Sequence, residues 1–245
     1  MCGRYSIYDL VRFGDRYGVD VDQHFEPRYN AAPGQTLPVV VDGHERPDQD
    51  GRADTDSRRD ERLTTARWGF VPSWSSDGSD SFVNARAETA AEKRSFRDAY
   101  AARRCLVPAD GFYEWRRTAD GSQPYRVTLA DGAPFAMAGL WTDWTPATAQ
   151  TGLDAFGGGG PDREPTPVRT FAVLTTAPNE LVADLHDRMA VALDPADARR
   201  WLDGDLPHEA VVAPYPAEEM RAYPVSTAVN DTRNDSPGLI EEVGG

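Results

Sequence analysis

The second residue of the chain is a cysteine, in an opening that reads MCGRY. Initiator methionine is removed most readily when the next residue is small, and cysteine is small. A chain trimmed in this way begins with an α-amine and a thiol on adjacent carbons. The free amine titrates at about 7.7–8.0 and the thiol at about 8.5, so both are partly deprotonated near neutral pH. A 1,2-aminothiol has a reaction that no internal cysteine shares. Its amine condenses with an aldehyde to an imine, and its thiol then closes on the same carbon to give a five-membered thiazolidine. Position alone leaves a second reading open, in which Cys2 is a small residue packed into a first strand, because cysteine is among the most buried residue types.

Three further polar residues sit inside apolar or aromatic runs. Glu114 lies in GFYEW, between Tyr113 and Trp115. A carboxylate desolvated among aromatic rings has a raised pKa, which suits it to proton transfer near neutrality; strand alternation would equally well turn it toward solvent or toward Arg116 and Arg117. His186 lies in LVADLHDRM, directly after an apolar run and beside Asp187 and Arg188, whereas His24, His44 and His208 stand in polar, loop-like segments. A structural histidine fits the same position. Asn84, in SFVNARAET, can orient a nucleophile or cap a turn. No CxxC, HxxxH or HExxH spacing is present, and two cysteines with scattered histidines do not build a zinc site. GGGG at 157–160 is low complexity rather than a phosphate loop, and there is no GxSxG turn, so neither a metal nor another cofactor is expected.

The elements that must carry these residues are legible in outline. Residues 8–18 (YDLVRFGDRYG) have apolar residues at helical spacing and end in glycine. TLPVVVDG (36–43) and LTTARWGFVPSW (63–74) read as strands, the second bending at Pro72. Residues 89–104 read as one helix with Ala91, Phe96, Ala99 and Tyr100 on a face. Strand-like runs follow at 104–117, 124–132, 134–144 and 169–178, separated by Gly and Asp turns. NELVADLHDRM reads as a turn or short helix. DPADARRWLDG (194–204) is a marked helix, with Asp194 as N-cap, Pro195 first in the helix and Gly204 past its end. Two polar or Gly/Pro-rich stretches, at about 43–62 and 146–167, read as surface inserts. The expected fold class is therefore α+β: a single domain over 1–245 with a curled, mainly antiparallel, barrel-like sheet core flanked by helices.

Composition sets further bounds. A chain of 245 residues, 40% hydrophobic with six Trp, nine Tyr and nine Phe, can bury a substantial core. No run of about 18 apolar residues spans a membrane, no secretory leader precedes Cys2, and two cysteines make no disulfide framework. A reducing cytoplasm is the expected compartment. Forty acidic residues face 26 basic ones, and Lys93 is the sole lysine. Such a surface suits molar salt, where the Debye length falls to about 3 Å and carboxylates repel one another weakly; GC-rich coding would also deplete lysine. A net charge of −14 ordinarily argues against nucleic acid, but a skew spread over the whole surface says little about one groove.

Eight motifs stand in order along the chain: MCGRY, YNAAPGQ (29–35), WGFVPSW (68–74), NARAET (84–89), CLVPADGFYEW (105–115), LTTAPN (174–179), LHDRM (185–189) and VSTAVND (225–231). Together they resemble the SRAP family of SOS-response-associated peptidases, whose members shield abasic sites in single-stranded DNA, and the resemblance covers nearly the whole chain outside the two inserts. It implies that Cys2, as mature N-terminus, condenses with the ring-opened aldehyde of an abasic site to a thiazolidine crosslink, a lyase-like chemistry. Asn84 would hold the Cys2 amine, Glu114 would act as acid and base, and His186 would assist ring opening. Arg4 and Arg86 would clamp flanking phosphates, with Arg188 and Arg94 as lesser contacts. Trp74 and Pro72 would form a wedge beside the lesion, although Ser75 stands where the family usually carries a second bulky residue. The implied partner is single-stranded DNA, bound by a monomer without a cofactor. Two other activities remain open: a thiol peptidase built on Cys2, Glu114 and His186, including self-removal of Met1, and a non-covalent binder of damaged DNA.

Overall fold

The computed structural model describes residues 2–21, 25–43, 61–119, 121–146 and 166–244. The chain begins with β1 (Tyr5–Ile7), α1 (Leu10–Tyr17), β2 (Arg28–Ala31), β3 (Thr36–Asp42) and β4 (Glu61–Trp68). Next come β5 (Asn84–Arg86), α2 (Ala87–Ala90), α3 (Arg97–Ala102), β6 (Arg104–Ala109), β7 (Gly111–Thr118), β8 (Gly121–Leu129) and β9 (Phe135–Trp144). The last part holds β10 (Val168–Thr176), α4 (Glu180–Ala183), β11 (Met189–Ala190), β12 (Ala192–Leu193), α5 (Pro195–Asp203), α6 (His208–Val212) and β13 (Met220–Pro224).

Two sheets form from these strands. In the larger one β10, β4, β3, β6 and β9 pair in turn, and β9 pairs back to β10, so five strands close into a barrel. All contacts around this ring are antiparallel except β4 with β10, where Thr170 lies opposite Arg67 and Phe171 opposite Trp68. Closure removes the exposed edges that an open sheet would present. Gly139 sits where β9 crosses the barrel, and a Cβ there would fall 2.8 Å from the Cys105 sulfur and 3.2 Å from the Ala172 carbonyl. The smaller sheet has the order β13-β8-β7-β1-β2 and is antiparallel throughout. The α+β class with a barrel-like core is thus as the strand pattern implies.

Local signals act where expected at several ends. Asp194 accepts the Asp197 N–H at 2.8 Å to start α5, and Gly204 closes it at φ 85°. α1 ends likewise at Gly18, φ 72°. Two expectations are corrected. The helix expected over 89–104 is broken into α2 and α3, with turns through 91–96. The break takes Phe96 out of helical geometry (φ −121°) and seats its ring against Phe70 and Phe82, at 5.4 and 5.3 Å between centroids. Ala91, placed on the buried face by a continuous helix, is exposed. The strand expected over 63–74 stops at Trp68, because Gly69 (φ +135°) turns the chain three residues before Pro72, and a Cβ at Gly69 would meet Ser81 Oγ at 2.8 Å. The two inserts lie largely outside the described residues.

Trp68 ties the two sheets together. It is buried, packs against Tyr5 of β1 and stacks on Phe171 of β10 at 5.1 and 6.1 Å, and its Nε1 donates to the Val83 carbonyl at 2.9 Å. Trp68→Ala should therefore cost about 3–5 kcal/mol. Urea unfolding at one fixed salt concentration should show a lower midpoint with an unchanged slope; an unshifted midpoint would mean that the junction is not under packing stress.

Candidate functional site

Cys2 precedes the first strand, and the β1–β7 pairing carries it to Glu114. Tyr5 lies opposite Phe112, and the ladder continues past the strand end as the Tyr113 N–H donates to the Arg4 carbonyl at 3.0 Å. Asn84 arrives from the barrel side. After Trp68 the chain leaves the barrel and returns as β5, parallel to β10, with Asn84 opposite Val173. Its Nδ2 donates to the Cys2 carbonyl at 2.9 Å. Its Oδ1 is buried and accepts no hydrogen bond among the described residues. His186 follows α4, whose N-cap Asn179 accepts the Val182 N–H at 2.9 Å, and β11 then rejoins β10 beyond it.

These residues share one electrostatic environment. Burial pushes the Glu114 carboxyl up to about 7, opposed by the positive charge of the amino terminus and reinforced by the carboxylate of Asp187. Burial also pushes the Cys2 thiol well above its ordinary range, and the charge of Glu114 adds to that. The His186 imidazole is moved down by burial first and by the amino-terminal charge second, while Asp187 works against both. His186 Nδ1 has two neighbours, the Arg188 N–H at 3.0 Å and Asp187 Oδ1 at 2.8 Å. A ring protonated only at Nε2 accepts from Arg188; a ring protonated at Nδ1 donates to Asp187. Either form is satisfied, so the imidazole can change its proton without moving.

The surrounding residues divide between locked and open. Arg188 makes a two-pronged ion pair with Glu88 at 2.6 and 2.8 Å and donates to the Thr175 carbonyl, fastening the His186 turn to α2. Arg4 donates to Asn30 Oδ1 at 2.8 Å and to the Val229 carbonyl at 2.6 Å. Asn30 in turn holds the carbonyls of Val229, Asp231 and Asn234, so Arg4 anchors the C-terminal segment beside the site. Arg86 is exposed. Trp74 is 42% exposed with the Arg94 guanidinium 5.0 Å from its ring, but Pro72 is buried and its carbonyl accepts the Ser75 N–H. The ring of Pro72 is therefore not offered to solvent, whereas Trp74 is. Cys105 is buried in β6, with the Trp201 Nε1 on its carbonyl at 3.1 Å. The reading of isolated motifs missed Glu88 and Asn30 as partners, since each lies far along the chain from the arginine it binds.

Fold and site define an α+β protein in which a cysteine at the second residue meets an amide and a raised carboxyl, with an imidazole under the same amino-terminal charge, where a closed barrel abuts an antiparallel sheet. The chain belongs to the SRAP family: the family model, SOS response associated peptidase, matches residues 1–232. It is 36% identical to abasic site processing protein YoqW of Bacillus subtilis (strain 168) over 98% of this chain and 99% of that one. It is also 30% identical to abasic site processing protein YedK of Escherichia coli (strain K12), over 99% of this chain and all of that one. Abasic site processing protein HMCES of Xenopus tropicalis is 32% identical over 89% of this chain and 67% of that protein. A crystal structure of a Bacteroides thetaiotaomicron protein has the same fold, with a TM-score of 0.76 over 99% of this chain and all of the other, at 22% identity.

Asp187 raises the proton affinity of both its neighbours, so Asp187→Asn should lower the pKa of His186 and of Glu114 together. NMR titration of the imidazole and carboxyl signals reads both. A variant in which neither titration moves downward would show that the Asp187 charge does not reach the site.

Proposed function

We propose that the protein captures abasic sites in single-stranded DNA through a covalent bond to Cys2. What carries the reading is the gathering of three side chains from separate parts of the fold around the start of the chain, Asn84 on the Cys2 carbonyl and Glu114 and His186 both under the amino-terminal charge, together with relatives that are named abasic site processing proteins. Removal of Met1 gives Cys2 a free α-amine. That amine attacks the aldehyde carbon of the ring-opened sugar, water leaves, and an imine forms. The Cys2 sulfur then adds to the imine carbon, its proton passes to the nitrogen, and a thiazolidine closes. One water is released and no DNA bond breaks.

The side chains fit this sequence of proton transfers. The buried Oδ1 of Asn84 is an acceptor suited to the N–H of a Cys2 amine, and satisfying it removes the cost of an unpaired polar atom. Glu114, half-protonated near pH 7, can take a proton from the amine and return it to the leaving hydroxyl. His186 serves ring opening at the sugar oxygen. The two groups and the amine titrate as a set rather than singly. The amino-terminal charge already lowers a thiol that burial otherwise holds neutral, and a positive amine on Cys2 itself would act on it from closer. Arg86, and the open pair of Trp74 and Arg94, are the contacts for flanking phosphate and base. Arg4 and Arg188 act by holding the site's walls in place. The acidic, nearly lysine-free surface fits work in concentrated salt, where phosphate contacts are screened and a covalent bond still holds.

The test is a denaturing gel with single-stranded DNA bearing one abasic site. Mature protein should give a heat-stable shifted band without reductant, Cys105→Ser should retain it, and Cys2→Ala should lose it. Cys2→Ser should need borohydride to trap its imine, and a form with Met1 blocked from removal should give no band. A blocked form that crosslinks as fast as the mature protein would refute the role of the amine, and equal loss in both cysteine variants would refute Cys2 as sole nucleophile.

A further inference from the structure

Among the described residues seven arginines lie over aromatic rings, and most are bound elsewhere by the protein. Arg104, over Tyr100 and Trp201, donates to the carbonyls of both. Arg169 over Trp141 pairs with Asp143, and Arg221 over Tyr223 pairs with Glu242. Arg4 and Arg126 are held by carbonyls and side chains. Only Arg94 over Trp74 and Arg116 over Tyr125 have no hydrogen bond or ion pair among the described residues. In a chain with 40 acidic residues, an exposed arginine that stacks on a ring without a carboxylate partner is unexpected.

The Arg116–Tyr125 pair also stands in line with the site. Glu114 and Tyr125 are cross-strand partners in β7 and β8, so their side chains leave the same face. Arg116, two residues beyond Glu114, shares that face at a distance of about 7 Å along the strand. Along β7 this face passes from buried Phe112 through Glu114, 2% exposed, to exposed Arg116. The guanidinium carbon of Arg116 lies 4.7 Å from the Tyr125 ring centroid. A guanidinium stacked in this way keeps its N–H edge for a phosphate and offers a flat cation to a nucleobase.

We propose that the β7–β8 hairpin is a second binding surface for the strand, in which Tyr125 and Arg116 stack the base and hold the phosphate of a nucleotide flanking the abasic residue. This rests on the reading of the Cys2 site as an abasic-DNA site. The 7 Å step from Glu114 is of the order of one nucleotide in an extended strand. It lies on the smaller sheet, whereas Trp74 lies between β4 and β5 and Arg94 between α2 and α3, so the two open pairs belong to different parts of the fold.

The experiment uses single-stranded oligonucleotides with a tetrahydrofuran abasic analogue, which has no aldehyde, so binding is read apart from crosslinking. Nucleotides are added one at a time to the 5′ or the 3′ side, and affinity is followed by fluorescence anisotropy at one salt concentration. Wild type should gain affinity on both sides as flanks grow. Arg116→Gln with Tyr125→Leu should lose about tenfold of the gain on one side only, Arg116→Gln alone should lose part of it, and Tyr125→Phe should keep it. Equal gains on both sides in the double variant would overturn the proposal, as would an equal loss on both sides. Failure of the wild type to crosslink a true abasic site would instead overturn the reading of the Cys2 site, and the side-specific gains would still decide the role of the hairpin.

Discussion

Strand β10 holds the arrangement together through backbone hydrogen bonds. From Thr170 to Thr176 it is buried, and a buried strand must pair its polar groups along both edges. On one edge β4 covers its beginning and β5 its end; on the other, β9 is followed by β11. The short strands β5 and β11 are thus fixed at opposite edges of the same strand end. One begins with Asn84 and the other follows His186 by three residues. The Arg188 guanidinium then spans the gap, bound to the Thr175 carbonyl of β10 and to Glu88 just beyond β5. A barrel that closed with another register would move both Asn84 and His186 together, which links the integrity of the candidate site to that of the core.

The smaller sheet supplies the remaining half, and the junction determines the chemistry. Cys2 and Glu114 come together because β1 pairs with β7, and Trp68 of the barrel packs against Tyr5 directly beneath. Burial at this seam shifts each group away from its ionised form: the carboxyl upward, the thiol upward and the imidazole downward. A low-dielectric seam would leave such groups inert were it not for charges placed beside them. Asp187 opposes burial at His186 and favours its protonated ring, whereas at Glu114 it adds to burial and the amino terminus favours the ionised carboxylate. The result is a carboxyl, Glu114, brought up to about 7 in a place where most of the surroundings are apolar.

Capture of single-stranded DNA, as proposed, requires an acidic protein to meet a polyanion without relying on bulk charge. Its net charge of −14 is unfavourable at long range, and in concentrated salt the long-range field is screened in any case. Contacts that act at van der Waals distance then matter most. Arginines stacked on aromatic rings are suited to this, because stacking survives salt better than a bare ion pair and the planar cation keeps its donors. Those bound to carbonyls or carboxylates serve the fold, and Arg94 and Arg116 are left exposed on their rings.

Local chemistry made some of this legible in one dimension. Asp194, Pro195 and Gly204 mark the two ends of α5 through interactions within a few residues, and Gly18 ends α1 for the same reason. The polar residues Asn84, Glu114 and His186 were conspicuous because apolar neighbours make a polar side chain costly there, and eight ordered motifs marked the family. Tertiary packing decided the rest. Phe96 broke a helix that its own periodicity favoured, because its ring has a place between Phe70 and Phe82. Glu88 and Arg188 are 100 residues apart, and Arg4 and Val229 are 225 apart, so no local pattern could show that these arginines are bound within the protein. Nor could it show that Asn84 turns its amide to the Cys2 carbonyl, because that contact exists only when barrel and sheet are both closed. Periodicity and capping act over a few residues, whereas the burial and charge that set a proton's affinity come from chain segments that meet only in the folded protein.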